Sequence, residues 1–446
     1  MIEDICALAT PYGTGAISII RCSGPKTIEL VSNIFDGVDL RKTKSHTIHY
    51  GHILDGTEVI DEVICNIFIG PHSYDGENTV EINCHGGVLV TNKVLQVLLK
   101  NGFRMAEPGE FSKRAFLNKR LDLTQAEAIM EIIGAQNDIA LKASLGSLRK
   151  STYNLIRSFR EKLLDILAKI AVNIDYPEYE DSIEVTNELL DKELTKMLKD
   201  MNEILANSKI STIAINGIKT AIVGKPNVGK SSILNMLLDE DKAIVSDIPG
   251  TTRDLVEGSL NVGNITLHLI DTAGIRQSED VVEKIGIERS SKAIKEADLV
   301  FLVLDVSKEL DEADYELLEL TKNKKRIVIA NKVDNKALWH LDDMVLFSTV
   351  NKNGLKDLES KLLEVTKIDK LNLDEAKFVA NQRQLDLLSK AHQSLNQALD
   401  SSRLGMDVDL VEIDIKNAYD YLGAITGEAS QDELITALFT KFCLGK

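Results

Sequence analysis

The sequence predicts a multidomain chain: an α+β domain at the N-terminus, a discontinuous all-α bundle, and an inserted α/β domain with a mostly parallel sheet. Three observations lead there. Short runs rich in Val, Ile and Thr, bounded by Gly or Pro, occupy residues 1–120. Apolar residues at three- and four-residue steps fill two separate stretches, 121–214 and 376–446. Between them, over 215–375, short apolar runs alternate with helical stretches, and the first runs into the phosphate-loop pattern "GKPNVGKS".

In the first domain "AISIIRCSG" (16–24), "HTIHYGHI" (46–53), "VICNIFIG" (63–70) and "TVEINCHGG" (79–87) read as strands. "VLVTNKVLQVLLKNG" reads as a helix stopped at Gly102. In the helical stretches Ile156, Phe159, Leu163, Leu167 and Ile170 form one apolar stripe, and Leu190, Leu194, Met197, Met201 and Ile204 another. "DYPEYEDS" (175–182) is an acidic break between them. Leu385, Leu388, Leu395 and Leu399, then Val408, Val411, Ile415, Tyr419 and Leu422, resume the pattern. Stripes need partners, so one bundle built from both stretches is expected, with two separate helical regions as the alternative. No proline falls between Pro108 and Pro177 or after Pro249, which permits long helices there. In the middle, "KTAIVG", "ITLHLID", "LVFLVLD", "RIVIAN" and "MVLFS" are the strands of the parallel sheet.

Composition narrows the class. With 446 residues, two or three domains of ~100–200 residues are expected. The apolar run "LVFLVL" is far below the ~20 residues that span a bilayer, so no membrane association is expected. "MIEDICALAT" has no basic n-region and reads against a secretory signal. Cys6, Cys22, Cys65, Cys84 and Cys443 form no CxxC pair and fit a reducing, cytoplasmic setting. A net charge of −17 argues against avid DNA or RNA binding by the whole surface, and leaves room for RNA shared with a basic partner.

The central motifs carry the chemistry. Backbone amides of Gly224–Ser231 can cradle phosphates where a strand meets a helix N-terminus. Lys230 can reach the outer phosphates and Ser231 can ligate Mg²⁺. "DIPGTTRD" (247–254) offers Thr252 as a second Mg²⁺ ligand. In "DTAG" (271–274) Asp271 can hold Mg²⁺ through water and the Gly274 amide can sense the γ-phosphate. In "NKVD" (331–334) Asp334 can accept two hydrogen bonds from guanine, a donor pair adenine lacks, while Asn331 meets the purine edge and the Lys332 stem covers the base. Ser348 of "STV" stands where a guanine-contacting loop belongs. The expected GTP-binding set is therefore Asn227, Val228, Gly229, Lys230, Ser231 and Ser232; Ser246, Asp247, Ile248, Pro249, Gly250, Thr251 and Thr252; Asp271, Thr272, Ala273 and Gly274; and Asn331, Lys332, Asp334 and Ser348. Ile275 follows the DTAG glycine and cannot orient water as a glutamine there would. Glu279, Asp280, Glu283 and Arg276 are nearby polar candidates, and motif reasoning does not choose among them.

The flanks decide more. "GAISIIRCSGP", "EINCHGG", "PGEFSKRAFLNKRLDLTQAEA", the ordered nucleotide motifs and a terminal "FCLGK" together resemble the MnmE (TrmE) family of tRNA modification GTPases, over essentially the whole chain. The resemblance implies an N-terminal tetrahydrofolate-binding and dimerisation domain, a helical domain split by the GTPase domain, and an FAD-binding MnmG-like partner joined in a heterotetramer. It implies installation of an aminomethyl or carboxymethylaminomethyl group on the wobble uridine of certain tRNAs, contacted chiefly through the partner, with a folate (5-formyl or methylene form) as one-carbon donor. Residue by residue, it implies K⁺ ligands at Asn227, Ser246, Ile248 and Thr251, a water-positioning carboxylate at Glu283, and Lys230 beside the reacting phosphates. K⁺ there would supply the charge an arginine finger gives elsewhere.

For folate it implies Arg21, Glu81, Arg120 and Lys446. Cations suit the ligand's carboxylates and Glu81 suits pterin N–H donors. Arg120 replaces the family's lysine. Cys443 is a candidate redox or nucleophilic thiol, and His85 reads as a turn residue rather than a metal ligand. An Era-like regulatory GTPase in ribosome or RNA maturation, without folate chemistry, is the alternative; it leaves the Arg21, Glu81 and Lys446 set unexplained.

Overall fold

The computed structural model describes residues 3–175, 187–239, 258–263, 265–270, 291–370, 377–379, 381–428, 432–440, 442 and 445. The chain divides into two compact units, 1–130 with 420–446 and 131–419.

In the first unit a seven-stranded sheet has the order β3-β4-β5-β6-β2-β1-β7. The strands are β1 (Ile5–Leu8), β2 (Ile17–Ser23), β3 (Phe35–Asp36), β4 (Thr47–Asp55), β5 (Glu58–Phe68), β6 (Thr79–His85) and β7 (Arg104–Met105). Neighbours are antiparallel except β1 and β7. Helices α1 (Thr27–Ile34) and α2 (Val88–Lys100) supply Val31, Ile34, Val94, Val97 and Leu98 to a core with the inward positions Ile20, Cys22, Val80 and Ile82. Period-two alternation turns Arg21 and Glu81, their sequence neighbours, to the other face. The strand read at 63–70 begins earlier, at Glu58, because its first half carries Glu58, Asp61 and Glu62 and hides among polar residues. Two elements, β1 and α1, are too short for a readable period. Helices α3 (Glu110–Leu117) and α4 (Leu123–Gly134) follow, and Leu123 and Ala126 pack with Ile435, Phe439 and Phe442 near the C-terminus.

The second unit holds a six-stranded sheet, order β13-β12-β11-β8-β10-β9, parallel throughout except β9. Its strands are β8 (Ile218–Val223), β9 (Ser259–Val262), β10 (Ile265–Ile270), β11 (Leu299–Asp305), β12 (Lys325–Asn331) and β13 (Met344–Phe347). One face buries Phe301, Val303, Ile327 and Ile329 and the other Val300, Leu302, Leu304 and Val328, so the runs read as unbroken apolar stretches. Helices α5 (Asp138–Leu148), α6 (Ser151–Asp175) and α7 (Asn187–Asn216) precede the sheet. Helices α8 (Lys230–Asp239), α9 (Glu312–Leu320) and α10 (Leu355–Thr366) belong to it, and α11 (Gln382–Arg403) and α12 (Val408–Thr426) follow.

Helices α7 and α11 pack antiparallel. Ser402 Oγ donates to the Asn187 carbonyl (3.1 Å) at one end, and the Val379 amide donates to Ser208 Oγ (2.9 Å) at the other. Leu190, Leu194, Met197, Met201 and Ile204 are buried, as are Leu385, Leu388, Leu395 and Leu399. The discontinuous bundle is thus a pairing of helices on either side of the inserted sheet. The α6 stripe needs one adjustment: Ile166 is buried and Leu167 only partly. On α12 Val408 and Tyr419 are likewise only partly buried.

A polar strap ties the sheet to these helices. Asn137 caps α5 and donates to the Ala214 carbonyl and Thr266 Oγ1 (both 3.1 Å). Asn261 accepts from Thr266 Oγ1 (2.8 Å) and donates to the Gln136 carbonyl (3.0 Å). Among the described residues no helix is long and apolar enough to cross a membrane.

Candidate functional site

Strands β8, β11, β12 and β13 pair so that Val223, Leu302 to Asp305, Asn331 and Phe347 bring their C-terminal ends to one edge. In a parallel sheet that edge is where loops can receive a ligand. The loop after β8 turns through Gly224 (φ +154°), Asn227 (φ 60°) and Gly229 (φ +100°) before α8 begins at Lys230. A Cβ at Gly224 would lie 2.3 Å from the Val303 carbonyl, and one at Gly229 would lie 2.2 Å from Asn331 Nδ2. Both positions require glycine.

Lys230 donates to the carbonyls of Gly224 (2.9 Å) and Lys225 (2.7 Å), and burial pushes its pKa below the ordinary lysine value. A desolvated ammonium attracts phosphate more strongly than a hydrated one. Asn331 Nδ2 donates to the Val228 carbonyl (2.8 Å), while its Oδ1 is buried with no donor among the described residues. Lys332 Nζ donates to the Asn227 carbonyl (2.8 Å) and to Asp305 Oδ2 (2.7 Å). Burial opposes the charge on Asp305, but the bonds from Lys332 and Ser307 outweigh it and hold its pKa below the ordinary aspartate value. Ser348 donates to Asp334 Oδ1 (2.6 Å), and Asn335 donates to Oδ2 (3.1 Å), so the exposed carboxylate is aimed from two sides.

Among the sequence-expected residues, Asn227, Val228, Gly229, Lys230, Asn331, Lys332, Asp334 and Ser348 therefore form one connected constellation. Ser231 and Ser232 lie in the first turn of α8. Residues 246–252, 271–274 and Glu283 lie outside the described residues. Sequence reading missed Asp305. It ends "LVFLVLD" at the strand edge, and its register with Asn331, which brings Lys332 to it, is not readable from the sequence.

The first unit has its own concavity, a cavity of about 760 Å³ lined by Arg21, Glu81, Arg120, His46, His72 and Tyr74, among others. Arg21 and Glu81 are direct cross-strand partners on β2 and β6. They pair with each other, Nε and Nη2 each 3.0 Å from Oε1, rather than standing apart as separate ligand groups. The Arg21 guanidinium lies over the Tyr74 ring (4.8 Å) and near Phe111 (5.7 Å). Its Nη1 donates to the Gly445 carbonyl (3.2 Å). Gly445 has φ +86°, and a Cβ there would meet the Leu8 carbonyl at 2.4 Å. Arg120 donates to the Ser73 carbonyl (3.3 Å) and is otherwise exposed. Beneath, Asp75 is buried and accepts from Ser23, Ser73, Thr79 and the Glu77 amide, fixing the loop that carries His72 and Tyr74. Cys443 and Lys446 lie outside the described residues. His85, at the end of β6, bonds Asp61 (2.7 Å), and no cluster of metal-ligating side chains occurs among the described residues.

A family model described as the GTP-binding protein TrmE N-terminus matches residues 4–120, and one described as the MnmE helical domain matches 123–443. The chain belongs to the MnmE family. A tRNA modification GTPase MnmE from Acholeplasma laidlawii is 49% identical over 446 residues, covering 100% of this chain and 99% of that protein. One from Ligilactobacillus salivarius is 47% identical over 455 residues, covering 100% and 98%. Among solved structures, the G domain of the T. maritima FeoB iron transporter is 30% identical over 33% of this chain and 98% of its own, with a TM-score of 0.25. As a member of the MnmE family the chain is a multidomain GTPase.

Proposed function

We propose that this chain hydrolyses GTP to drive modification of the wobble uridine in certain tRNAs, drawing a one-carbon unit from a folate held in its N-terminal unit. The observation that carries the folate half is the cavity of about 760 Å³ lined by Arg21, Glu81 and Arg120. Its volume falls in the range of ligand pockets, ~300–1,000 Å³. Its groups offer what a folate needs: a cation for the glutamate carboxylates at Arg120, and a carboxylate for pterin N–H at Glu81, held in place by Arg21. Lys446 would add a second cation. A regulatory timer without folate chemistry leaves this cavity unexplained.

In the nucleotide site the chain's own groups divide the work. Amides of the loop at 224–231 bind phosphate, Lys230 supplies positive charge, and Asp334, aimed by Ser348, selects guanine. Ser231 and Thr252 would hold Mg²⁺. Asn227, Ser246, Ile248 and Thr251 would hold K⁺; the exposed Asn227 side chain, at a left-handed turn beside the loop, fits an oxygen ligand. These cations would neutralise charge that develops on the phosphates. Glu283 would orient the attacking water in place of the group missing at Ile275.

Coupling would follow the polar strap. Strand β10 ends at Ile270, one residue before Asp271, and Thr266 on that strand bonds Asn137 of the helical region. A pull on the DTAG segment would therefore reach α5 and α7 through hydrogen bonds rather than through a flexible linker. The proposal extends to a cytoplasmic homodimer and to a heterotetramer with an FAD-binding MnmG-like partner that supplies the main tRNA contacts. GTP turnover measured in KCl and in NaCl tests the ion assignment: hydrolysis rises in KCl, and Asn227→Ala loses that rise. Equal rates in both salts would remove K⁺ from the account.

A further inference from the structure

Lys225 is a residue of the phosphate loop to which motif reasoning gives no role. Its Nζ lies 2.5 Å from Asp311 Oδ2 and 2.7 Å from Asp314 Oδ2. Those two aspartates are not loose surface acids. They form the capping box of α9: the Asp314 amide donates to Asp311 Oδ1 and the Asp311 amide to Asp314 Oδ2, both at 3.2 Å. The Asp314 side chain is only 5% exposed. Both carboxylates are therefore fixed by backbone before Lys225 reaches them. Burial opposes the charge on Lys225, but the two carboxylates outweigh it and raise its pKa above the ordinary lysine value.

The other end of Lys225 faces the chemistry. Its carbonyl accepts from Lys230 at 2.7 Å, beside the Gly224 carbonyl at 2.9 Å. Gly224 on one side has no room for a side chain beside the Val303 carbonyl, and Pro226 on the other has its φ fixed by its ring. The side-chain tether supplies the remaining constraint on this peptide. We propose that Lys225, clamped by Asp311 and Asp314, is a positioning residue for nucleotide binding: it fixes the carbonyls that orient Lys230 and neutralises two carboxylates that would otherwise repel phosphate. The inference rests on guanine nucleotide binding at this loop.

Three consequences separate this role from a structural one. Lys225→Met removes both the tether and the neutralising charge. Lys225→Arg keeps both. Asp311→Asn removes one exposed arm of the clamp and leaves the core untouched. Fluorescent GDP binding and steady-state GTP hydrolysis on the full chain read the effect. Lys225→Met weakens GDP binding and raises KM for GTP about tenfold, with kcat falling less than threefold, because the tether acts on ground and transition states alike. Lys225→Arg returns both to within about threefold of the parent. Asp311→Asn changes binding by no more than about twofold, since it removes one exposed arm of the tether and one repelling carboxylate together. Parent-like binding by Lys225→Met overturns the proposal, as does equal loss in the Met and Arg variants. Should Lys225→Met not fold, Lys225→Gln, which removes the charge and keeps a polar side chain, takes its place, and parent-like GDP binding by that variant overturns the proposal. A parent protein that does not bind GDP fails the nucleotide reading itself.

Discussion

At Gly229 the sequence and the site meet on a single atom. A methyl there would sit 2.2 Å from Asn331 Nδ2, in a backbone conformation (φ +100°) that side chains rarely adopt. Gly229→Ala is expected to weaken GDP binding at least tenfold, read by fluorescent nucleotide titration, because either the loop or Asn331 must move. At Asp334 the expected change is one of choice. Replacing it with Asn exchanges an acceptor for a donor opposite the guanine edge, and bonds to a charged acceptor are worth about 1.5–3 kcal/mol each. Asp334→Asn should lose at least about 30-fold in GTP affinity and gain affinity for xanthosine triphosphate, measured by competition; unchanged GTP affinity would mean that Asp334 does not read the base. Ser348 shows what a motif conceals. Its place after a strand is plain in the sequence, but its bond to Asp334 Oδ1 needs a chain reversal between β13 and α10 that no local pattern encodes. Asp305 and Lys225 were illegible for a related reason. Each acts through a partner distant in sequence, and only the sheet register and a helix cap bring the partners together. Arg21 and Glu81 were legible as a pair of interest, but not as partners of each other, because that requires the β2–β6 register.

At the scale of elements, periodicity carries far. The α7 and α11 stripes were readable because long amphipathic helices repeat their signal over many turns. Leu194 and Leu395 are fully buried, so Leu194→Ala should cost about 2–5 kcal/mol and lower the melting temperature by several degrees. The first sheet was less legible. Its strands β1 and β3 are only four and two residues long, and half of β5 is polar.

That sheet makes a chemical prediction. Cys6, Cys22, Cys65 and Cys84 are buried, and burial pushes the Cys6 and Cys65 thiols up to about 12 from an ordinary 9.0. In the native protein these four should resist Ellman's reagent at pH 8 and react only on unfolding. The linkage has a sign: a thiol kept protonated in the fold stabilises it fully below pH 9 and loses that contribution as pH rises toward 12. Urea midpoints should therefore fall between pH 8.5 and pH 10.5, by about a fraction of a molar per unit. The Asn137 strap offers a second test at this scale. Asn137→Ala should leave GDP affinity within about twofold and lower the melting temperature, because the lost bonds join Ala214 and Thr266 rather than ligand groups. If it also abolishes the response of tRNA modification to GTP, the strap is the route of coupling.

Across the whole molecule, the account joins two chemistries on one chain: a guanine site at the strand ends of a parallel sheet, and a cationic cavity on the polar face of a mixed one. Fold class was legible because each segment has its own period, while the cavity was not, since its lining gathers residues of β2, β5 and β6, the loop at 71–74 and Arg120 from distant parts of the sequence. The net charge of −17 suits the proposed sharing of tRNA contact with a partner. The most direct measurement is equilibrium binding of 5-formyl-tetrahydrofolate to the intact protein, with Arg120→Ala and Glu81→Gln beside it. The account predicts saturable binding by the parent, weakened at least tenfold in each variant, with GDP affinity unchanged in both. No binding by an intact parent that still hydrolyses GTP would contradict it.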